Sequence, residues 1–492
     1  MLKQAKRFLF LFHRWLGVAL CLWFALLFAS GIIMMYVEYP ELTEEERLWQ
    51  MQALQATAVH LSVADAARVV GDTDYASIKL ATVVGRPAYQ LTDSGGTLHT
   101  VFADDGSRFS GLESASALTA AQHSAFTGSD AKPRYDALID IDQWTVSAVL
   151  DSSRPLHRVA LDDAAGTVLY ISDTNGQIVR DSNRTKRFWN WLGSTIHWIY
   201  PWQLRQHVGL WTNVLTYLSM AGVFSVVSGA VVGWWRLRVK RRYRSDSVTP
   251  YRGWQKWHHI LGLGFVLFIS TWIFSGLMSM FPWGIFDNTT SVNEQIARYQ
   301  GGAIDELDSF PALSSELMQA GAGVKEVEWR RIGDTRYLVL SQSSTQKRVI
   351  LPDGSNNNTA LQALITGNLH SLQPQARIEQ QRVITQYDSW YYSHHNRYRP
   401  LPALEVRFDD AEQSWYHIDL NTGAVIQRLT HTDRWARWLY NGLHSLDFAP
   451  LFQLRPLWDA LLILLLLCGF GFSLTAVVIG WRRVNPRTGT AD

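Results

Sequence analysis

The chain has 492 residues, and its 45 lysines and arginines nearly balance its 43 aspartates and glutamates, so its charge gives no reason to expect a nucleic-acid partner. Its mean hydropathy of -0.06 by itself neither indicates nor excludes a membrane protein. The two cysteines, Cys21 and Cys468, both lie in apolar segments, which excludes a disulfide framework.

The mean hydropathy of the chain is an average over two kinds of sequence. Four apolar runs alternate with polar segments, and each run is near the ~20 residues that a helix needs to cross a bilayer. We therefore predict an α-helical membrane bundle of four transmembrane helices with two polar domains outside the bilayer. The predicted segments are an N-terminus with helix 1 (1–36), a first polar domain (37–209), helix 2 (210–234), a basic loop (235–257), helix 3 (258–281), a second polar domain (282–456), helix 4 (457–481) and a tail (482–492).

Basic residues predict the orientation of these helices. They precede helix 1 and follow helices 2 and 4, which is one side of the membrane if all four runs span it. The residues are Lys3, Lys6, Arg7, Arg236, Arg238, Lys240, Arg241, Arg242, Arg244, Arg482, Arg483 and Arg487. Because lysine and arginine are enriched in cytoplasmic loops, we expect both termini in the cytoplasm and both polar domains outside it. Helix 1 is not expected to be a cleaved signal peptide, because its pattern recurs in helix 3.

The two polar domains carry helix and strand signals in the same order. Each begins with a helix-like stretch, at 62–70 in the first domain and at 313–320 in the second. The strand-like segments that follow are 75–84, 88–92, 327–332 and 337–341. The turn signals are Asp104-Asp105-Gly106, Pro352-Asp353-Gly354, Asn175-Gly176 and Thr422-Gly423. These patterns predict small α+β domains, each with a helix and antiparallel strands.

One pattern occurs in both halves of the chain. His13-Arg14-Trp15-Leu16-Gly17 in helix 1 matches His258-His259-Ile260-Leu261-Gly262 in helix 3, and Ser30-Gly31 matches Ser275-Gly276, all at an offset of 245. A repeat of half the chain indicates the duplication of a whole domain. Both halves run in the same direction through the membrane, and such parallel repeats are related by a pseudo-two-fold axis along the membrane normal.

His13 and His258 are candidate functional residues at matching points near the cytoplasmic ends of helices 1 and 3. An ionisable residue in a membrane helix is a functional candidate, and two equivalent ones could face each other across the axis. The alternative is that each side chain reaches the membrane interface, where polar groups are tolerated. His259 points about 100° away from His258 and matches Arg14, so it is a reserve candidate.

His197 and His444 form a second pair, shortly before helices 2 and 4. Each follows a Trp-Leu motif, and the two motifs match at an offset of 247. The alternative for this pair is a buried, hydrogen-bonded histidine in an interfacial helix. His207 has no histidine counterpart and is a second reserve candidate for the outer site. His394 and His395 lack further ligands at metal-binding spacing and are not predicted to form a metal site.

Two histidine imidazoles that face each other can serve as the two axial ligands of one haem iron. We therefore predict two b-type haems, with His13 and His258 on the iron of an inner haem and His197 and His444 on that of an outer haem. No Cys-x-x-Cys-His motif for covalent attachment occurs in the sequence. Each imidazole must be neutral, and a hydrogen bond to its second nitrogen would fix the tautomer. Bis-imidazole ligation leaves no open iron position, which favours electron transfer.

The polar domains, the His13–Gly17 start of helix 1 and Leu443-His444 before helix 4 resemble PepSY-associated transmembrane proteins over almost the whole chain. Some members of that family are inner-membrane ferric-siderophore reductases with b-type haem. The resemblance therefore implies periplasmic PepSY-like domains, a bacterial inner-membrane location and an oxidoreductase that reduces ferric siderophore to release ferrous iron. It assigns no catalytic residue.

The electron donor is expected to be quinol or a separate protein, because the sequence has no glycine-rich dinucleotide fingerprint on the inner side. Two alternatives stay open. One is a non-enzymatic membrane scaffold whose PepSY-like domains bind a partner or regulate a protease. The other is a redox protein linked to quinone or copper.

Overall fold

The computed structural model describes residues 2–71, 74–244, 246–284, 292–311, 313, 323–393, 398–448, 451 and 454–485. The α-helices are α1 (Leu2–Met34), α2 (Glu44–Gln50), α3 (Val63–Val70), α4 (Ser114–Gln122), α5 (Arg184–Asn190), α6 (Trp202–Arg205), α7 (Val208–Arg236), α8 (Gly253–Gly264), α9 (Val266–Met278), α10 (Val292–Gln300), α11 (Asn358–Gly367), α12 (His431–Arg437), α13 (Leu443–Ser445) and α14 (Leu457–Val484). The strands are β1 (Tyr75–Val83), β2 (Arg86–Asp93), β3 (Leu98–Phe102), β4 (Arg134–Ile139), β5 (Leu156–Ala160), β6 (Val168–Ser172), β7 (Ile178–Ser182), β8 (Glu326–Ile332), β9 (Thr335–Ser341), β10 (Lys347–Ile350), β11 (Ile378–Ile384), β12 (Ala403–Phe408), β13 (Trp415–Asp419) and β14 (Val425–Leu429). Short 3-10 segments lie at Ala56–Ala58, Ala148–Ser153, Pro282–Gly284, Leu307–Ser309 and Leu369–Leu372.

The chain divides into a helical unit and a sheet unit. The helical unit combines residues 1–39, 188–287 and 433–492, and the sheet unit combines residues 40–187 and 288–432. Each unit is therefore assembled from segments that are far apart in the sequence.

Long apolar helices form the helical unit. Within the described residues α1, α7 and α14 are each long and apolar enough to cross a membrane, and α8 with α9 makes a fourth span if the two count as one. Large apolar side chains on the three long helices stay more than half exposed, as expected of surfaces that contact lipid. Examples are Leu22, Phe224 and Leu464.

The third apolar segment differs from its prediction. In place of one helix over 258–281, the helix begins at Gly253, and α8 and α9 meet at an angle of 70°. The backbone leaves helical geometry at Phe265, directly after two closely spaced glycines, Gly262 and Gly264. Glycine-containing stretches are a common cause of helix kinks.

Close packing between helices depends on small residues and aromatic rings. A buried cluster around Phe28 and Trp272, whose ring centroids are 5.5 Å apart, joins side chains of α1, α9 and α14. A Cβ added to Gly469 of α14 would lie 2.7 Å from Cε1 of Phe28, so α1 and α14 approach closely there. Small residues at such contacts are typical of membrane helices.

Three antiparallel sheets form the sheet unit. The largest has six strands in the order β10-β9-β8-β1-β2-β3, and the others have the orders β4-β5-β6-β7 and β11-β12-β13-β14. Strands from both predicted polar domains share the six-stranded sheet, because β1 pairs with β8, with Leu80 opposite Val327. The prediction of two separate domains did not include this pairing, which gives β1 and β8 each a neighbour on both sides.

The local predictions in the sheet unit agree with the structure. The predicted strand segments correspond to β1, β2, β8 and β9, and hairpins turn at Gly176 and Gly423, both with positive φ. The predicted helix at 62–70 is α3, which begins with a capping box formed by Ser62 and Asp65. The predicted helix at 313–320 lies, except for Leu313, outside the described residues, as do His394, His395 and Arg487.

A buried carboxylate lies within one of the four-stranded sheets. Glu405 on β12 is fully buried, and Arg382 Nη2 and Arg407 Nε each donate to its carboxylate, at 3.0 and 2.9 Å. His417 Nε2 is 3.4 Å from the same carboxylate. Burial alone would raise the pKa of Glu405, but these polar contacts outweigh burial and lower the pKa to about 2.

Candidate functional site

The structure brings the four predicted histidines together as two pairs in the helical unit. The ring centroids of His13 and His258 are 6.5 Å apart, with 31° between the ring planes. Those of His197 and His444 are 6.1 Å apart, with the planes nearly perpendicular at 85°. Each pair takes one histidine from each half of the chain.

His13 is oriented by contacts between α1 and α7. Its Nδ1 is 3.1 Å from the backbone oxygen of Ser225 and 3.4 Å from Oγ of Ser228. A carbonyl oxygen only accepts hydrogen bonds, so Nδ1 of His13 carries the proton. Gly229 makes room for the ring, because a Cβ there would lie 2.6 Å from Cε1 of His13.

His258 on α8 is oriented by α14 in the same manner. Its Nδ1 is 3.1 Å from Oγ1 of Thr475, and that hydroxyl donates its own proton to the backbone oxygen of Phe472 at 2.5 Å. The hydroxyl has one proton, so it accepts from Nδ1 of His258. The His258 ring also stacks on the Phe472 ring, with centroids 4.8 Å apart.

His197 and His444 follow two π-helical segments, Trp191–Thr195 and Trp438–Gly442. A π-helical turn inserts an extra residue and changes the direction of the side chains that follow, and such turns are frequent at functional sites. Both segments lie at equivalent points of the two halves, in front of α7 and α14. The local backbone irregularity therefore accompanies the predicted site in each half.

Two buried serines hold the second pair. Ser30 Oγ is 3.0 Å from Nδ1 of His197, and Ser275 Oγ is 2.9 Å from Nδ1 of His444. Ser30 donates to the Leu26 oxygen at 2.7 Å, and Ser275 donates to the Trp272 oxygen at 2.9 Å. Each serine hydroxyl has one proton and donates it to a backbone oxygen. The hydroxyl therefore accepts from the histidine, and both histidines are donors at Nδ1.

All four histidines therefore have the same tautomer. Nδ1 carries the proton and is hydrogen-bonded, and Nε2 keeps its lone pair. Within the described part of the chain, no hydrogen-bond partner is seen for Nε2 of His13, His197, His258 or His444. This is the arrangement in which a histidine can bind a metal through Nε2.

The hydroxyl partners are functional candidates that sequence reasoning missed. Ser30 and Ser275 stand in the repeated Ser-Gly motif, so the offset of 245 was a signal for them. Ser228 and Thr475 match at an offset of 247. The repeat located these residues, but sequence alone does not distinguish a hydroxyl that holds a ligand from one that packs between helices.

The reserve candidates are not joined to either pair. Both ring nitrogens of His259 are used, since Nδ1 is 2.8 Å from Oγ1 of Thr249 and Nε2 is 2.8 Å from the backbone oxygen of Gly233. These contacts fix the basic loop to α7 and α8. His207 is the exposed residue that precedes α7. Among the described residues, no group of three or more His, Cys, Asp or Glu side chains is arranged to hold a metal ion.

Two tryptophans attach the segments after His197 and His444 to the helices that follow. Trp211 Nε1 of α7 donates to the backbone oxygens of Trp198 and Ile199 at 2.9 and 3.1 Å. Trp458 Nε1 of α14 donates to those of Ser445 and Leu446, both at 3.2 Å. The two anchors match at an offset of 247.

Apolar spanning helices with paired histidines, together with an antiparallel α+β unit, define a multi-pass membrane protein with a folded domain outside the bilayer. The sequence matches the PepSY-associated TM region over residues 10–483, so the chain belongs to this family. No curated protein matches the chain.

Proposed function

We propose that this protein is a di-haem b-type electron carrier of the bacterial inner membrane, which passes electrons to a periplasmic acceptor. By family resemblance the acceptor is a ferric siderophore, and the donor is quinol or a separate protein. The haem supplies one-electron redox chemistry when it is bound. His13 and His258 would hold the inner haem, and His197 and His444 the outer one.

The spacing of the paired rings carries this proposal. If the two rings of a pair shared one metal, two metal–imidazole bonds of about 2 Å and about 1 Å from each nitrogen to its ring centre would separate the ring centres by about 6 Å. The two pairs have 6.5 and 6.1 Å. Four independent hydrogen-bond arrangements leave Nε2 as the nitrogen with the available lone pair.

The donor set fits a haem. Histidine is a common protein ligand of haem iron, and each histidine pair would hold one haem through its two Nε2 atoms. A flat macrocycle also needs backbone without side chains near the ligands. A Cβ added to Gly17, one turn from His13, or to Gly276, next to Ser275, would meet nothing within 4 Å, although Gly262 is in tight contact with Phe472.

An internal two-fold repeat with four spans is part of the proposal. The strand order β10-β9-β8-β1-β2-β3 reads the same when the halves are exchanged, because β8, β9 and β10 are the counterparts of β1, β2 and β3. The hydrogen bonds to His197 and His444 are equivalent as well. The pair α8 and α9 would then be one broken span. The distribution of basic residues favours termini in the cytoplasm and a sheet unit in the periplasm.

The reaction at the acceptor moves one electron. A ferric siderophore that receives it becomes a ferrous complex, and its hard oxygen ligands hold ferrous iron less tightly than ferric iron. The metal is the substrate here, and iron is released without cleavage of the chelator. With two histidines to hold each iron, the haem would supply electron transfer and not oxygen chemistry.

Purification in detergent tests the proposal. The wild-type protein is expected to be red, with two low-spin haems per chain. His13→Ala and His258→Ala should each remove one haem, His197→Ala and His444→Ala the other, and the control His207→Ala should keep both. A colourless protein from haem-replete cells would refute the proposal and favour the non-enzymatic scaffold. Re-oxidation of the reduced protein by ferric siderophore, cupric ion or quinone distinguishes the acceptors.

A further inference from the structure

Arg205, at the end of α6, is a buried cation that no carboxylate pairs with among the described residues. Its exposed fraction is 9%, and its Nε and Nη1 are buried with no hydrogen-bond partner among the described residues. Removing a guanidinium from water without an opposing charge costs several kcal/mol. A cation kept in such a position indicates that an anion binds beside it.

Aromatic rings hold the Arg205 guanidinium beside the segment that follows His197. Its Cζ lies 4.7 Å from the ring centroid of Trp211 and 5.2 Å from that of Tyr200. Trp211 is the residue whose indole donates to the backbone oxygen of Trp198, directly after His197. The cation is therefore tied to the segment that carries a predicted ligand of the outer haem.

The second half of the chain has an arginine in a comparable place, because Arg205 and Arg455 each end a Gln-Leu-Arg sequence shortly before the anchoring tryptophan. Arg455 Cζ lies 5.0 Å from the ring centroid of Trp458, and Trp458 anchors the residues after His444. The carboxylate of Asp459 is 3.9 Å from Arg455 Nε. Thr212 follows Trp211 at the position that corresponds to Asp459, so the first half has no such carboxylate.

We propose that Arg205 binds a propionate carboxylate of the outer haem and that Arg455 faces the second propionate, an inference that rests on the proposed haem site. A guanidinium presents a planar pair of donors that matches the two oxygens of a carboxylate. If the two halves are related by the proposed two-fold repeat, one arginine from each half would hold one of the two propionates.

Redox titration of the purified protein tests this role with Arg205→Gln, Arg205→Lys and Arg455→Gln. The control is Arg236→Gln, at the opposite end of α7. A cation near the haem stabilises the reduced form. Arg205→Gln should therefore shift the reduction equilibrium of one haem toward the oxidised form about tenfold, the scale of the Coulomb interaction between two unit charges about 10 Å apart in a partly buried site. This corresponds to about 59 mV for one electron. Arg205→Lys should keep most of the wild-type potential, and Arg455→Gln should have a smaller effect because Asp459 partly neutralises Arg455.

A second measurement tests the inference if Arg205→Gln loses its haem during purification. Apo-protein is titrated with iron protoporphyrin and with its dimethyl ester, which lacks the propionate charges. The wild type should bind the free acid about tenfold more tightly than the ester, and in Arg205→Gln this ratio should fall to the smaller part that Arg455 contributes. If the wild type and Arg205→Gln have the same ratio of affinities for the free acid and the ester, the inference is overturned. So would unchanged potentials together with loss of a co-purifying phospholipid, since the anion would then be a lipid phosphate. A wild-type protein without haem would instead refute the proposed function itself.

Discussion

Removal of the Ser275 hydroxyl should weaken the outer haem site selectively. Ser275 is fully buried, and its Oγ accepts from Nδ1 of His444 and donates to the Trp272 oxygen, both at 2.9 Å. In Ser275→Ala the His444 ring loses its hydroxyl acceptor and keeps only the Trp272 backbone oxygen within reach, which costs about 1 kcal/mol. Partners that orient a metal-binding histidine are typically worth about 10–100-fold in affinity. We expect a loss of haem affinity in this range at one of the two sites.

The assay is titration of apo-protein with haem, with stoichiometry and affinity taken from the absorption change. Ser279→Ala is the matched control, because its Oγ donates to the Gly276 oxygen at 2.7 Å, one turn further along the chain, with no histidine contact. Ser275→Thr keeps a hydroxyl and should keep most of the affinity. If Ser275→Ala and Ser279→Ala bind two haems equally well, the hydroxyl does not hold His444 for iron.

Two further predictions concern the sheet unit. The depressed pKa of Glu405 adds about 3 kcal/mol of stability above pH ~4.5, and this stability is lost as the pH falls toward 2. In Glu405→Gln the melting temperature should therefore depend less on pH in this window. An unchanged pH dependence of the melting temperature would contradict the assignment. Gly423→Ala should lower the melting temperature, because a Cβ at φ +74 would lie 2.6 Å from Cδ1 of Ile332 and 2.8 Å from the Tyr337 hydroxyl, a clash of about 1–3 kcal/mol. Gly367→Ala has open space and is the control, so equal melting temperatures would refute the clash.

Sequence reasoning predicted the local elements of the sheet unit well. Period-two alternation indicated β1, β2, β8 and β9, because alternation follows directly from side chains that point to opposite faces of a strand. It could not identify the neighbour of β1, since Leu80 and Val327 are nearly 250 residues apart and many strands have similar patterns. The break at Phe265 was missed for a related reason, since hydropathy measures apolar length and not helix direction.

At the candidate site, the repeat was more informative than any single residue. The matching offsets identified His13, His258, His197 and His444, and the structure pairs them as predicted, although iron ligation stays a prediction. The offsets also match Ser30 with Ser275. Their role depends on each hydroxyl donating its proton to a helix backbone oxygen, which sequence alone does not reveal. Arg205 matches Arg455 in the repeat, but the lack of hydrogen-bond partners for its Nε and Nη1 among the described residues is a property of the folded chain.

The pairing of β1 with β8 has a consequence for synthesis of the protein. When β1, β2 and β3 have emerged, the neighbour of β1 is still about 250 residues away along the chain. Until β8 is made, β1 presents an open row of backbone donors and acceptors, beside apolar side chains such as Ile78 and Leu80. Non-local pairing of this kind is slow and exposes intermediates to aggregation. The sheet of the first half therefore stays incomplete until β8 has been synthesised. We expect the cell to shield the free edge of β1 during biogenesis. We also expect the two halves to be insoluble when they are produced separately.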